Sequence, residues 1–190
     1  MRAGMPELDV MTADSDRAAL VERARTQDPD AWEALYVAVY PRLLAYAARR
    51  ADRSLAADIV AETMARAVAA IGRLDVSSGG GFDPWLFGIC RNVVADTHRR
   101  NARNDRRREP APLPVDDIAE GLENDEEAAA MREAYTRLSD DDREVLDLRV
   151  VAGLSAEETA HVLGKQPGAV RTAQSRALAR LRDHFEEVYR

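Results

Sequence analysis

The chain has 190 residues, of which 46% are apolar, and this is enough for a packed core in one medium domain or two small ones. Cys90 is its only cysteine, which excludes an internal disulfide, and no apolar run approaches the roughly 20 residues that a bilayer crossing needs. Residues 1–16 have no hydrophobic signal segment, so we expect a cytoplasmic protein without membrane insertion.

The net charge of −7 argues against a nucleic-acid partner only until its distribution along the chain is considered. Residues 110–142 hold eleven acids and two arginines, which leaves the rest of the chain with a net charge of +2. Residues 91–108 carry seven arginines and two acids, and residues 159–182 carry five basic residues and no acid. Two basic stretches on either side of an acidic one are typical of a protein with two DNA contacts.

Helical patterns fill the first half of the chain. Asp28-Pro29 predicts the start of a helix that Pro41 is expected to bend or restart. Ser54 is predicted to cap a second helix, on which Asp58 and Glu62 lie one turn apart on one face. The predicted apolar stripe of this second helix consists of Val60, Met64, Ala67, Val68 and Ile71.

A third helix is predicted to begin at Asp83-Pro84, after a loop at 77–81 that is flexible by composition. Its predicted inward stripe consists of Trp85, Leu86, Ile89 and Val93. We divide the chain into an N-terminal extension (1–27), a first domain (28–107), an acidic, proline-containing flexible linker (108–124) and a second domain (125–190).

The second domain contains the clearest functional pattern. A helix over 125–137 is followed by one that Ser139 caps, and then by a short helix with the capping box Ser155-x-x-Glu158 that ends at Gly164. Pro167 begins a longer basic helix, and the residues at helical spacing on its predicted inward side are Val170, Gln174, Ala177, Leu178 and Leu181. Since no segment alternates like a strand, the predicted fold is all-α, with two small helical domains.

The last two helices predict a helix-turn-helix, whose second helix can enter the major groove of DNA. The side chains that avoid its apolar stripe, and so are available for base edges and phosphates, are Arg171, Thr172, Ser175 and Arg176. An ordinary helical hairpin with a solvated basic face is the alternative.

Residues 138–171 resemble region 4 of the sigma-70 family, through Leu138-Ser139, Arg143-Glu144-Val145-Leu146, Gly153-Leu154-Ser155 and Gly168-Ala169-Val170-Arg171. The resemblance implies that residues 168–176, including Gly168, read the −35 promoter element. Ala173 and Gln174 depart from the basic and bulky apolar residues of many relatives.

The first domain resembles sigma region 2 independently. Asp30 to Tyr36 resembles the opening of that region, and Asp58 to Met64 resembles its polymerase-binding helix, commonly D-L-V-Q-E-T-F. The resemblance implies contacts with core RNA polymerase through Asp58, Ile59, Ala61 and Glu62. On this segment alone, a solvated helix face is the alternative.

Phe82 to Asn92 resembles the signature F-x-x-W-L-x-x-I-A-R-N of the same region, which implies separation of the −10 strands and binding of a flipped base. The candidate DNA contacts are Arg91, Asn92, Asp96, Arg99 and Arg100. We expect Trp85 to belong to the core rather than to stack on a base, and Cys90 to fill a small space in that core.

Together these segments resemble a small extracytoplasmic-function (ECF) sigma factor with regions 2 and 4 only. The resemblance implies core polymerase and promoter DNA as partners, with an anti-sigma factor as a further candidate. No catalytic residue, metal site or cofactor is expected, since His98, His161 and His184 show no metal-ligand spacing. The alternative is a free-standing regulator whose first domain senses a ligand; an enzyme is supported by no group of residues.

Overall fold

The computed structural model describes residues 7–75, 81–104 and 125–190, and in this part of the chain there are helices and no strands, so the all-α prediction is confirmed. Most of the predicted loop at 77–81 and the whole predicted linker at 108–124 lie outside the described residues. The first half contains α1 (Glu7–Arg25), α2 (Pro29–Arg50), α3 (Ala56–Ala70) and α4 (Phe82–Asn104). The second half contains α5 (Asp125–Thr136), α6 (Asp140–Leu146), α7 (Ala156–Leu163) and α8 (Pro167–Val188).

The predicted start of α2 is confirmed. The Asp28 carboxylate accepts hydrogen bonds from the backbone N–H groups of Asp30 at 3.0 Å and Ala31 at 3.4 Å, and Pro29 occupies the first helical position. The predicted restart at Pro41 is not observed, because α2 is one helix from Pro29 to Arg50 that contains this proline.

The predicted cap of α3 is wrong, because Leu55 occupies the N-cap position and makes no side-chain hydrogen bond there. Asp52 instead caps the turn that precedes α3, and its carboxylate accepts from the Ser54 backbone N–H at 2.9 Å and the Ser54 hydroxyl at 2.7 Å. A single 3₁₀ turn at Arg53–Leu55 then leads into α3. Val68, predicted on the inward stripe, is 51% exposed because Ile59, rather than Val68, completes the buried face.

One of the hydrophobic clusters in the described residues contains side chains from both halves of the chain. Apolar side chains of α2, α3 and α4 form most of it, but Leu148, Ala152 and Leu154 of the second half are buried in the same cluster. These three follow α6, where the helix widens into a π turn over Asp147–Val151, and α7 packs against α4 close by. The two halves are therefore in direct apolar contact in the free chain.

A buried ion pair crosses the same contact. Arg49 Nε on α2 donates to Asp147 Oδ1 at 2.7 Å, and the two side chains are 1% and 0% exposed. The Tyr135 hydroxyl donates to the same oxygen at 2.5 Å, and the Arg49 guanidinium lies 4.4 Å from the centre of the Tyr135 ring. Burial raises the pKa of Asp147. Removing either charge would leave the other buried without its partner.

In the second half, α6 and α7 begin directly after the capping residues that the sequence predicts. Ser139 accepts from the Asp142 N–H at 3.2 Å, and Ser155 and Glu158 form the reciprocal capping box of α7. Gly164 ends α7 with a φ of 63°, a conformation that favours glycine. α8 begins at Pro167 and buries Val170 and Ala177 against α5, α6 and α7, as a helix-turn-helix requires. Leu178, predicted to point inward, is 44% exposed.

Candidate polymerase and nucleic-acid interfaces

The outer face of α3 carries three of the four predicted polymerase contacts. Asp58, Ala61 and Glu62 are exposed, whereas Ile59 is 2% exposed and packs in the core. Ile59 therefore cannot belong to the surface that a partner touches, and it anchors the helix instead. Glu62 Oε1 accepts from Arg66 Nε at 2.8 Å, one turn further along α3.

The start of α4 is built into the core, as predicted for Trp85 and Cys90. Trp85 is half-buried against the core, with its ring tilted against that of Phe82 at a centroid distance of 5.9 Å. Cys90 is fully buried, and this burial raises the pKa of its thiol to about 12, so that it stays protonated at neutral pH. Leu86 and Phe87 are buried beside it, which fixes the position of the rest of the helix.

The far half of α4 presents a polar face. Asn92, Arg99 and Arg100 are exposed, and Asp96 lies between them and α3. Asp96 accepts from Arg99 through one oxygen and from Arg66 Nη1 through the other at 3.0 Å. These two guanidinium groups, Arg99 first, lower the pKa of Asp96.

A shallow cleft of about 360 Å³ between α3 and α4 is lined by Arg66, Asp96, Arg99 and Arg100, so its lining carries an excess of positive charge. The sequence pattern did not indicate Arg66 as a member of this group. Its spacing of four residues from Glu62 was the available signal, but its contact with Asp96 bridges 30 residues and depends on how α3 packs on α4.

Arg91, the first predicted DNA contact of α4, faces the second half of the chain. Its Nε donates to Glu144 Oε1 of α6 at 2.7 Å. Nearby, Arg42 Nε donates to the carbonyl of Ala152 at 2.7 Å. In the free chain Arg91 is thus part of the contact between the two halves.

The predicted DNA-facing side chains of α8 lie together on one exposed surface. Arg171, Thr172, Ser175 and Arg176 are all exposed near the N-terminal end of the helix. Gly168 lies on the same end, where a Cβ atom would meet no described atom within 4 Å. Arg171 Nη1 donates to Glu157 Oε1 of α7 at 2.8 Å, a contact that the sequence analysis did not identify.

Two further side chains of α8 hold the helix in place. Gln174 accepts from Arg149 Nε at 2.8 Å, and Arg149 also donates to the carbonyl of Leu154, so this glutamine ties α8 to the π turn. Arg180 donates to both carboxylate oxygens of Asp142, at 2.8 and 2.6 Å. Arg180, toward the C-terminal end of α8, therefore forms an ion pair within the chain.

Two family models match separate parts of the chain. The family model described as "Sigma-70 region 2" matches residues 35–104, which include α3 and α4, and "Sigma-70, region 4" matches residues 128–181, which include the helix-turn-helix. The chain belongs to the ECF sigma-70-like RNA polymerase sigma factors.

Relatives of known function resemble this sigma factor along most of its length. It is 36% identical over 182 residues to the ECF sigma factor BldN of Streptomyces coelicolor, covering 89% of this chain and 67% of the relative. It is 37% identical over 191 residues to SigD of Mycobacterium tuberculosis, covering 92% and 87%. The solved structure of CnrH in complex with the cytosolic domain of CnrY has a TM-score of 0.67 and 26% identity, and covers 90% of this chain and 97% of that one.

As a member of this family, the chain is a transcription initiation factor that binds core RNA polymerase and directs it to promoter DNA. The helices in the described part of the sigma factor include none that is long and apolar enough to span a membrane.

Proposed function

We propose that this sigma factor uses three surfaces: α3 for core polymerase, the far half of α4 for the −10 element, and the start of α8 for the −35 element. The observation that carries the proposal is that the polar side chains of each surface are exposed on a helix whose opposite side is buried in the core. The polymerase performs the chemistry, so the chain itself needs no catalytic residue. Its place of action is then the cytoplasm, where the transcription machinery works.

The α4 surface suits a melted strand. Arg99 and Arg100 supply positive charge for backbone phosphates, and Asn92 can both donate to and accept from a base edge. Asp96 has a different role from the one first expected: as a carboxylate it repels phosphates, and we assign it to orienting Arg99 and Arg66.

The α8 surface suits duplex DNA. The open space at Gly168 lets the backbone approach the DNA closely, and Arg171 and Arg176 can bond guanine edges in the major groove. Thr172 and Ser175 have hydroxyl groups that can reach bases or phosphates. Thr172 already donates to the Gly168 carbonyl at 3.0 Å, which leaves its oxygen free to accept.

Simultaneous contact with both elements requires the two halves to separate. A compact chain of this length has a radius of gyration of about 16 Å. Elements centred about 25 base pairs apart are separated by about 85 Å, since the duplex rises about 3.4 Å per base pair. Contact of the Arg91 Nε with DNA would require its ion pair with Glu144 to open.

A protein partner of the anti-sigma kind is a further proposal. It is supported by the CnrH structure, which contains the cytosolic domain of CnrY. A free-standing regulator is not favoured, because the region 2 match covers the half of the chain that would have to sense a ligand.

The α3 surface is tested by reversing two charges. Asp58→Arg with Glu62→Arg should abolish capture of core polymerase, because carboxylates that pair with arginines on the partner become cations. The fold should persist, since exposed charges contribute little to stability. Asp183→Arg with Glu186→Arg is the matched control, with two exposed acids of α8 outside the proposed contact. Wild-type affinity of a folded α3 variant in a quantitative pull-down would refute this surface.

A further inference from the structure

Glu157 is an exposed acid beside the basic surface of α8. The sequence has no acid between residues 159 and 182, and the neighbouring Glu158 is committed to the capping box, where it accepts from the Ser155 N–H at 2.7 Å. The Glu157 side chain is 63% exposed and contacts Arg171, which is 60% exposed. A carboxylate at a DNA-facing surface repels phosphates and lowers affinity. We therefore looked for a function of Glu157 that offsets this loss of affinity for DNA.

The geometry of the ion pair identifies that function. A guanidinium has donors at Nε and at both terminal nitrogens, and two neighbouring donors are needed to bond O6 and N7 of guanine together. Glu157 accepts from Nη1 of Arg171 at 2.8 Å, and this leaves the edge formed by Nε and Nη2 without a bond to Glu157. An arginine held in this way presents one defined pair of donors to the groove.

We propose that Glu157 is a specificity-determining residue, which positions Arg171 so that its Nε–Nη2 edge reads a guanine of the −35 element. This inference rests on the proposed function of α8. Glu157 also disfavours the competing arrangement in which Arg171 swings onto a phosphate, since that movement would leave the carboxylate unpaired beside the DNA backbone. The ion pair therefore lowers the affinity for DNA of any sequence and increases the discrimination between bases.

The charge on Glu157 is maintained at neutral pH. Arg171, and at longer range Arg149, lower the pKa of the Glu157 carboxyl, so the ion pair is not lost on mild acidification. Position 157 also lies in the first turn of α7, where a negative charge interacts favourably with the helix dipole and stabilises the helix. If Glu157 only stabilised α7, its replacement would not change the base preference. A change in base preference therefore distinguishes positioning of Arg171 from helix stabilisation.

The test uses Glu157→Gln in holoenzyme with core polymerase, since glutamine has the same shape and no charge. Binding to a library of −35 variants is measured at two salt concentrations. We expect the preference for guanine at one position to fall about fivefold or more. Binding to other sequences should rise, and the salt dependence should steepen by about one unit because one repulsive charge is gone. Combined with Arg171→Ala, the substitution should have no further effect on preference.

Glu186→Gln is the control, because it removes the same charge from an exposed position at the far end of α8. It should leave base preference unchanged. If Arg171→Ala alters preference but Glu157→Gln does not, or weakens all sequences equally, this inference is overturned while the assignment of α8 survives. If Arg171→Ala itself leaves preference unchanged, the proposed function of α8 has failed.

Discussion

Arginines that look equivalent in the sequence have different roles in the folded chain. Arg49 is fully buried against Asp147, and Arg180 is bonded to both oxygens of Asp142, whereas Arg182 is exposed. Sequence patterns predicted which residues cap helices, as at Asp28 and Ser155, because caps depend on hydrogen bonds within a few residues. They could not predict the ion pairs, since the Arg180–Asp142 contact bridges 38 residues and depends on helix packing.

Arg182 and Arg180 therefore provide a comparison at the residue scale. Arg182→Ala should weaken binding to all −35 variants alike and reduce the salt slope by about one unit, as the loss of a phosphate contact does. Arg180→Ala should instead lower the free energy of unfolding by about 1 kcal/mol, because Asp142, 7% exposed, loses its charged partner and keeps only the hydrogen bond from the Ser139 hydroxyl. Urea unfolding and DNA binding at two salt concentrations separate the effects. Equal stability of the two variants would contradict the assignment of Arg180.

At the scale of the element, α4 combines a buried side with an exposed side that we propose contacts DNA. Its period of 3.6 residues turns Leu86, Cys90 and Val93 inward and Asn92 and Arg99 outward. The sequence predicted the helix and the outward positions of Asn92, Arg99 and Arg100, because these follow from the periodicity, but it did not predict that Arg91 pairs with Glu144 of α6. The membership of Arg66 in the same cleft was not predictable, since it depends on the crossing of α3 over α4.

The outward side of α4 is tested by replacing Asn92, Arg99 and Arg100 with Ala together. Promoter melting should be impaired more than polymerase binding, because the lost groups face the DNA and leave α3 intact. Permanganate footprinting of a cognate promoter measures melting, and a pull-down measures core binding. Normal melting by this variant would refute the assignment. A parallel loss of core binding would show instead that α3 had been disturbed.

At the scale of the whole molecule, the main departure from expectation is the contact between the two halves. The predicted division into domains at 108–124 stays a prediction, but the described halves share a core and the buried Arg49–Asp147 pair. Leu148 and Leu154 are buried in one cluster with side chains of α2, α3 and α4. This burial depends on the complete fold, and local sequence patterns carry no information about it.

Asp147→Asn should lower the free energy of unfolding of the intact chain by about 3–5 kcal/mol, because Arg49 is left as an unpaired buried charge. Arg49→Met with Asp147→Leu should recover most of this loss, since apolar residues of similar volume can replace a buried pair. Denaturant unfolding of both variants beside the wild type gives the comparison. If Asp147→Asn is as stable as the wild type, the two halves are not held together by this pair.

The central claim is that one chain reads two promoter elements through two separate helices, and only together with core polymerase. The most direct measurement selects DNA from a randomised library with core polymerase plus the sigma factor, and with each alone. The holoenzyme should retain sequences with two motifs at a constant spacing, with Arg171→Ala altering the upstream motif only and the α4 triple variant the downstream motif only. Selection of one motif, or of the same motifs by the sigma factor without core polymerase, would contradict the claim.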